Sequence, residues 1–267
     1  MAESRLDAAL ADRGIVRSRT QAARLIADGS VTVDGVMAVK ASMRVGDDQV
    51  LELTASDHYV GRAAHKLLAA LEEFRIPVVG RQALDVGAST GGFTQVLLER
   101  GAVHVVALDV GHGQLDPLIA TDARVTTIEG FNARDLTAEA LDAAAGFATH
   151  PTIVVADLSF ISLTTVLPAI VATAGTAADY VLLIKPQFEV GRTGIREGIV
   201  HDAALRAEAI GGVLWAAWDL GLPTAGLISS PILGNAGNHE YLVWLSAAVG
   251  GNPTEWSERV TTLSGSL

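Results

Sequence analysis

The sequence predicts an α/β chain in two parts: a doubly wound, mostly parallel sheet of seven strands behind a small N-terminal α+β module. Three observations carry this expectation. Ala83 to Arg100, ALDVGASTGGFTQVLLER, reads as a buried strand, a glycine-rich turn and a helix. Beyond it, short apolar runs alternate with longer helical patterns, the arrangement of a parallel sheet covered on both faces. Ahead of it, seven basic residues (Arg5, Arg13, Arg17, Arg19, Arg24, Lys40, Arg44) stand against four acidic ones (Asp7, Asp12, Asp28, Asp34). That stretch is locally cationic in a chain of formal net charge −11.

Composition narrows the class. With 267 residues, 49% hydrophobic and 18% charged, the chain has apolar mass for one large core and one small one. There is no cysteine, which excludes disulfides and thiolate metal sites. The histidines, at 58, 65, 104, 112, 150, 201 and 239, lack spacings such as H-E-x-x-H, so no metal is expected. No apolar core follows Met1-Ala2-Glu3-Ser4-Arg5, so the expected location is cytoplasmic. Leu158 to Ala178 is uncharged and long enough to span a bilayer. It carries Ser159, Ser162, Thr164, Thr165, Pro168, Thr173 and Thr176, however, and reads as a strand end, a loop and a core helix, so no membrane is expected. An acidic chain does not simply coat nucleic acid, but its cationic N-terminal stretch allows a local RNA contact.

In chain order, Arg5–Arg13 and Ser18–Asp28 read as two short helices, the second capped by Ser18 and ended by Gly29. Val31-Thr32-Val33 before Asp34-Gly35 reads as a strand entering a tight turn. Ser56 to Gly61 has no periodicity, and residues 58–61 are the expected linker between a module of residues 1–57 and a domain of residues 62–267. From Arg62 to Phe74 a helix follows, with Leu67, Leu71 and Phe74 on one stripe and Lys66 directed toward the ligand face. Strands are expected near 82–87, 103–109, 124–129, 152–157, 180–184, 225–230 and 241–247, and helices near 91–100, 137–145, 162–174 and 203–219.

Ligands of such sheets sit at the carboxyl ends of the strands. Candidates there are the strand-end acid Asp85 and the turn Gly87, Ala88, Ser89, Thr90, Gly91 and Gly92, with Phe93 opening the helix. The spacing is not G-x-G-x-x-G, and a second strand-end acid, Asp109, is placed to hold ribose hydroxyls. Together these point to S-adenosylmethionine more than to a dinucleotide, although a glycine-rich turn also fits a purely structural role. Asn132 and Ala133, after the third strand, fall near the adenine position. Asp157 ends the fourth strand and Lys185 the fifth. A lysine closing an apolar strand needs a partner, since burying an unpaired ammonium is costly, and Asp157 is the neighbour that can supply it. Glu240 opens the last strand, and Arg192 and Arg196 lie in the glycine-rich loop after Lys185, where they face RNA phosphates if RNA binds.

Lys66, Asp157, Lys185 and Glu240, in this order around such a turn, resemble the lysine–aspartate–lysine–glutamate set of the FtsJ class of ribose 2′-O-methyltransferases. The N-terminal patterns R-L-D-x-x-L-x-x-R-G and S-R-x-x-A-x-x-L-I-x-x-G-x-V-x-V-D-G resemble the alpha-L RNA-binding module of a small-subunit ribosomal protein and of many pseudouridine synthases. With LDVGASTGGFT, VVADLSFISL, KPQFEVG and GNHEYLVWL, the whole chain resembles the TlyA family, often labelled haemolysin A. The resemblance implies a Rossmann-like class I methyltransferase domain that moves a methyl group from S-adenosylmethionine to the ribose 2′-hydroxyl of cytidine in small- and large-subunit ribosomal RNA. It implies ribosomal RNA or ribosomal subunits as the partner, and no protein partner. It further implies Lys66, Asp157, Lys185 and Glu240 as catalytic, with Asp157 also at the cofactor, and Arg5, Arg17, Arg19, Arg24 and Arg62 as RNA-facing.

A ribose hydroxyl is a poor nucleophile, so the enzyme must orient it and assist its deprotonation. Lys185 is the preferred base, with Lys66 and Glu240 positioning it. Asp157 favours the charged lysine and so works against that role, which leaves the choice between the two lysines open. Two other functions fit parts of the chain: an RNA-binding ribosome-assembly factor without catalysis, and a membrane-active haemolysin.

Overall fold

The computed structural model describes residues 3–27, 29–38, 40–53, 58–191, 194–234 and 237–265, without the side chains at 24 and 27. Arg192, the side chain of Arg24, Asp28 at the expected end of the second helix, and the Ser56-Asp57 end of the expected linker therefore lie outside the described residues. The chain falls into a small unit, Met1–Arg62, and a large unit comprising Ala63–Gly234 and Asn238–Leu267.

In the small unit, β1 (Ser4–Arg5), α1 (Leu6–Asp12), α2 (Arg19–Ala27), β2 (Val31–Val33), β3 (Val36–Met37), β4 (Arg44–Val45) and β5 (Leu51–Leu53) follow in order. Apolar residues recur along α1 and α2 at helical spacing, and Leu6, Leu10, Ala22 and Ile26 are buried with Val31, Val33 and Val45 in one core. Ser18 caps α2, its hydroxyl accepting from the Gln21 amide at 3.2 Å. Asp34 (φ 51°) and Gly35 (φ 78°) make the two-residue turn between β2 and β3, where both central positions need a left-handed backbone. The short strands β1, β3, β4 and β5 were not expected, β1 taking Arg5 from the expected start of the first helix, because two or three residues show no readable alternation.

The large unit runs α3 (Ala63–Phe74), β6 (Gln82–Val86), α4 (Gly92–Glu99), β7 (His104–Leu108), α5 (Pro117–Ala120), β8 (Val125–Ile128), α6 (Ala138–Ala145), β9 (Ile153–Ala156), α7 (Leu163–Ala174), β10 (Asp179–Ile184), α8 (Pro186–Glu189), α9 (Ala203–Asp219), β11 (Thr224–Ser229), β12 (Tyr241–Leu245) and α10 (Ser257–Gly265). Its strands form one seven-stranded sheet in the order β11-β12-β10-β9-β6-β7-β8. β6, β7, β8, β9 and β10 are parallel, and β12 runs antiparallel between β10 and β11. This is the mostly parallel α/β sheet expected; α5, α8 and α10 are additions. The uncharged stretch after Asp157 resolves into a loop and α7, capped by Ser162 and only 12 residues long. At 1.5 Å rise per residue that is about 18 Å, short of the roughly 30 Å of a bilayer core. Among the described residues no helix is long and apolar enough to cross a membrane.

Register sets the site. Ala156 pairs with Val86 on one side and Leu182 on the other, so Asp157 emerges at the carboxyl edge of the parallel strands. Ile184 pairs with Tyr241 across the antiparallel junction, which brings Lys185, leaving β10, beside Glu240, entering β12. Farther along α3, Phe74 stacks on Trp244 at 6.0 Å and lies over Gly226, where an added Cβ would sit 2.5 Å from its ring. That anchor lays α3 along the sheet and carries Lys66 to the same edge.

Candidate active site

The four residues meet in one chain of charges. Lys66 Nζ lies 2.7 Å from Glu240 Oε2 and 3.5 Å from Asp157 Oδ2. Lys185 Nζ lies 2.6 Å from Asp157 Oδ1 and donates to Ser159 Oγ at 2.9 Å. Lys66, Lys185 and Glu240 are all buried, with relative exposures of 4%, 8% and 4%. Two carboxylates and two ammonium groups make the cluster formally neutral, which is how four ionisable side chains tolerate burial. For Asp157, burial raises the pKa, but the charges of Lys66 and Lys185 outweigh it and leave the carboxyl below its ordinary range. The two lysines differ. Lys66 is held between two acids, whereas Lys185 has one acid and a hydroxyl.

Beside this cluster lies a cavity of about 550 Å³, lined by Gly87, Ser89, Asp109, Gln114, Phe131, Asn132, Ala133, Arg134, Asp157, Leu158, Ser159 and Phe160 among others. Its size falls in the range of about 300–1,000 Å³ usual for small-molecule sites. Gly87, at φ 85°, is close to the opposite wall: a Cβ there would sit 3.0 Å from Leu158 Cδ2 and 3.1 Å from the Asp157 carbonyl oxygen. Asp109 is oriented by backbone amides, Ser89 N donating to Oδ2 at 2.8 Å and Gly111 N to Oδ1 at 2.7 Å. Each oxygen keeps acceptor capacity toward the cavity. An apolar slot, a glycine wall and an oriented carboxylate fit an adenosine-bearing ligand, and Asn132 and Ala133 line the same cavity.

Of the expected cofactor residues, Gly87, Ser89, Asp109, Asn132, Ala133 and Asp157 line this cavity. Ala88, Thr90, Gly91, Gly92 and Phe93 do not; they shape the turn and the start of α4, with Gly91 at φ 94° packed against Leu115 and Ile119. Asp85 is also set back. It is fully buried, takes a 2.6 Å hydrogen bond from Thr94 Oγ1, and its Oδ1 meets no donor among the described residues. Gln114, Phe131, Ser159 and Phe160 were not expected. Ser159 and Phe160 follow a strand-end acid directly, and that position was the available signal. Gln114 and Phe131 sit in loops with no such mark.

Burial pushes the Asp85 carboxyl up to about 7, with Asp157 adding to it and Thr94 opposing. An unfolded aspartate ionises near 3.9. Between roughly pH 4 and 7 the folded chain thus keeps a proton that the unfolded chain has lost, and stability falls as pH rises, by at most about 1.4 kcal/mol per pH unit. Denaturant melts across that window are expected to show this slope in the native chain and a flatter one in Asp85→Asn. Equal slopes would place the charge of Asp85 elsewhere.

Gly234 controls Glu240. A Cβ at 234 would fall 2.1 Å from Glu240 Oε1 and 2.6 Å from its Cδ. Gly234→Ala is therefore expected to drive the carboxylate off Lys66 and to lower stability by about 1–3 kcal/mol. A variant melting like the native chain would show that the loop yields at no cost.

Among the expected RNA-facing residues, Arg5 and Arg19 converge on Asp7, each at 3.0 Å, and hold its carboxyl down to about 2, chiefly through the Arg5 hydrogen bond. Both keep exposed side-chain surface, 45% and 59%. Arg17 is exposed, Arg62 is half-buried, and exposed Arg196 pairs with Ile199 in a tight turn outside the main cavity.

Comparison with known proteins adds the lineage of these parts. The model of FtsJ-like methyltransferases matches residues 59–247, and that of the S4 domain matches residues 4–51. The chain is 51% identical over 245 residues to a Mycobacterium tuberculosis protein named 16S/23S rRNA (cytidine-2′-O)-methyltransferase TlyA, covering 91% of this chain and 89% of that one. It is 39% identical over 239 residues to a Brachyspira hyodysenteriae protein named Hemolysin A, covering 89% and 98%. A solved structure described as a hemolysin from Streptococcus thermophilus superposes with a TM-score of 0.74 at 34% identity, covering 98% of this chain and 96% of that one.

Proposed function

The chain belongs to the TlyA family of FtsJ-like methyltransferases, and from that membership we propose that it methylates the ribose 2′-hydroxyl of cytidine in small- and large-subunit ribosomal RNA, with S-adenosylmethionine as donor. The observation that carries the reading is the lysine–aspartate pair, Lys185 and Asp157, at the rim of a cavity suited to an adenosine-bearing ligand. When bound, S-adenosylmethionine supplies a methyl group made electrophilic by its sulfonium.

In this reading Asp109 would hold the donor's ribose, Phe131, Asn132 and Ala133 would enclose its base, and Gly87 would let it approach the backbone. The protein's task is then the hydroxyl. Lys185, as the free amine, takes the 2′-hydroxyl proton, and the ammonium that forms is stabilised by Asp157. Lys66, tied to Glu240, keeps Asp157 aimed at Lys185. Phe160, an exposed aromatic on the cavity wall, offers a stacking face to a nucleobase. Arg5, Arg17, Arg19 and Arg62 of the small unit, with Arg196, supply charge for RNA phosphates, and Arg24 and Arg192 are assigned the same role from the sequence. The substrate is carried by ribosomal subunits, which places the reaction in the cytoplasm.

Mapping 2′-O-methyl groups in ribosomal RNA from cells with and without the gene tests this. Loss of methylated cytidines, restored by the native chain, is the expected result. Unchanged methylation, together with RNA binding but no methyl incorporation by the purified protein, would instead make it an RNA-binding assembly factor.

A further inference from the structure

The charge chain does not stop at its four ionisable members. Lys185 is itself absent from the cavity wall, yet its Nζ donates to Ser159 Oγ at 2.9 Å, and Ser159 is exposed there. Ser159 is thus the neutral end of the series Glu240–Lys66–Asp157–Lys185–Ser159, and its most exposed member. The next residue, Phe160, takes a left-handed φ of 65°, uncommon for a non-glycine residue. We infer that Ser159 is a positioning residue that holds the Lys185 amine at the cavity edge.

The physical reason is the change of charge a base undergoes. Asp157 attracts Lys185 strongly only while it is an ammonium, and that attraction draws Nζ toward the buried carboxylate. A hydroxyl accepts from an N–H of Nζ in the ammonium and in the amine alike, so it keeps its hold in both protonation states. Ser159 and Asp157 both line the cavity, so each holds Nζ from a residue at its edge. With the N–H groups of the amine directed to Asp157 and Ser159, its lone pair remains for the proton of the reacting hydroxyl.

This inference rests on the proposed base role of Lys185, and its test separates the two. In Ser159→Ala the methyl-transfer rate is expected to fall roughly ten-fold or more, the worth of one hydrogen bond to a charged group. The KM for RNA, adenosylhomocysteine binding and the melting temperature should hold. Ser159→Thr, which restores the hydroxyl, should recover most of the rate. Independently of turnover, acylation of Lys185 by a small amine-reactive ester, read by peptide mass mapping, should speed up several-fold in Ser159→Ala and not in Ser159→Thr. Native labelling rates in Ser159→Ala overturn the inference whether or not the chain methylates RNA. An inactive native chain with altered labelling leaves the positioning intact and overturns only the assigned reaction.

Discussion

Lys185→Ala is expected to remove methyl transfer while the protein still folds and still binds S-adenosylmethionine. Supplying or accepting a proton in the transition state is worth about 10²–10⁴ in rate, and no neighbour replaces this amine. Lys66 is the sole other ammonium in the cluster, and it is held 2.7 Å from Glu240. Folding should survive because Asp157 keeps Lys66 at 3.5 Å and retains 15% side-chain exposure. The measurements are single-turnover methylation of ribosomal subunits, calorimetry with adenosylhomocysteine, and a thermal melt. If the pair is merely structural, Lys185→Met with Asp157→Leu should restore stability and keep activity, since an apolar replacement of a buried ion pair is often neutral. An active, well-folded Lys185→Ala enzyme would end the catalytic reading.

Lys66→Met should fail in a different way, by loss of stability. Lys66 is the shared counter-charge of two acids, and Glu240 has only 3% side-chain exposure. Removing the lysine strands a buried carboxylate, at a cost of about 3–5 kcal/mol. Denaturant melts are expected to show a loss of that size, larger than for Lys185→Ala. Lys66→Met with Glu240→Leu should recover most of the stability and none of the activity, because Asp157 is then no longer braced. The reverse ranking, with Lys185 the more costly to remove, would exchange the roles of the two lysines.

Much of the fold was legible because its signals are local. The run from Ala83 through Gly92 marks strand, turn and helix within a dozen or so positions, and the apolar strands ending in Asp157 and Lys185 declare a buried parallel sheet. The short elements were not legible: β3, β4 and α8 are too brief to show a period. The candidate site divides along the same line. Asp109, Asp157, Lys185 and Glu240 stand at strand ends, where topology alone assigns importance. Gln114 and Phe131 line the cavity from loops, and no residue pattern announces them.

By itself, then, the sequence determined the two-part α/β plan, the family and the identity of the four charged residues, since each depends on residue type and order along the chain. Tertiary structure alone decided which lysine is held between two acids and which meets one acid and a hydroxyl. The antiparallel pairing of Ile184 with Tyr241 sets Glu240 at the sheet edge, and the seating of Phe74 over Gly226 swings Lys66 onto it. Lys185 is thereby left with Asp157 and the hydroxyl of Ser159. Residues 66, 157, 185 and 240 are far apart in the chain, and short-range charge interactions between them exist only once packing has removed water and brought them within hydrogen-bonding distance.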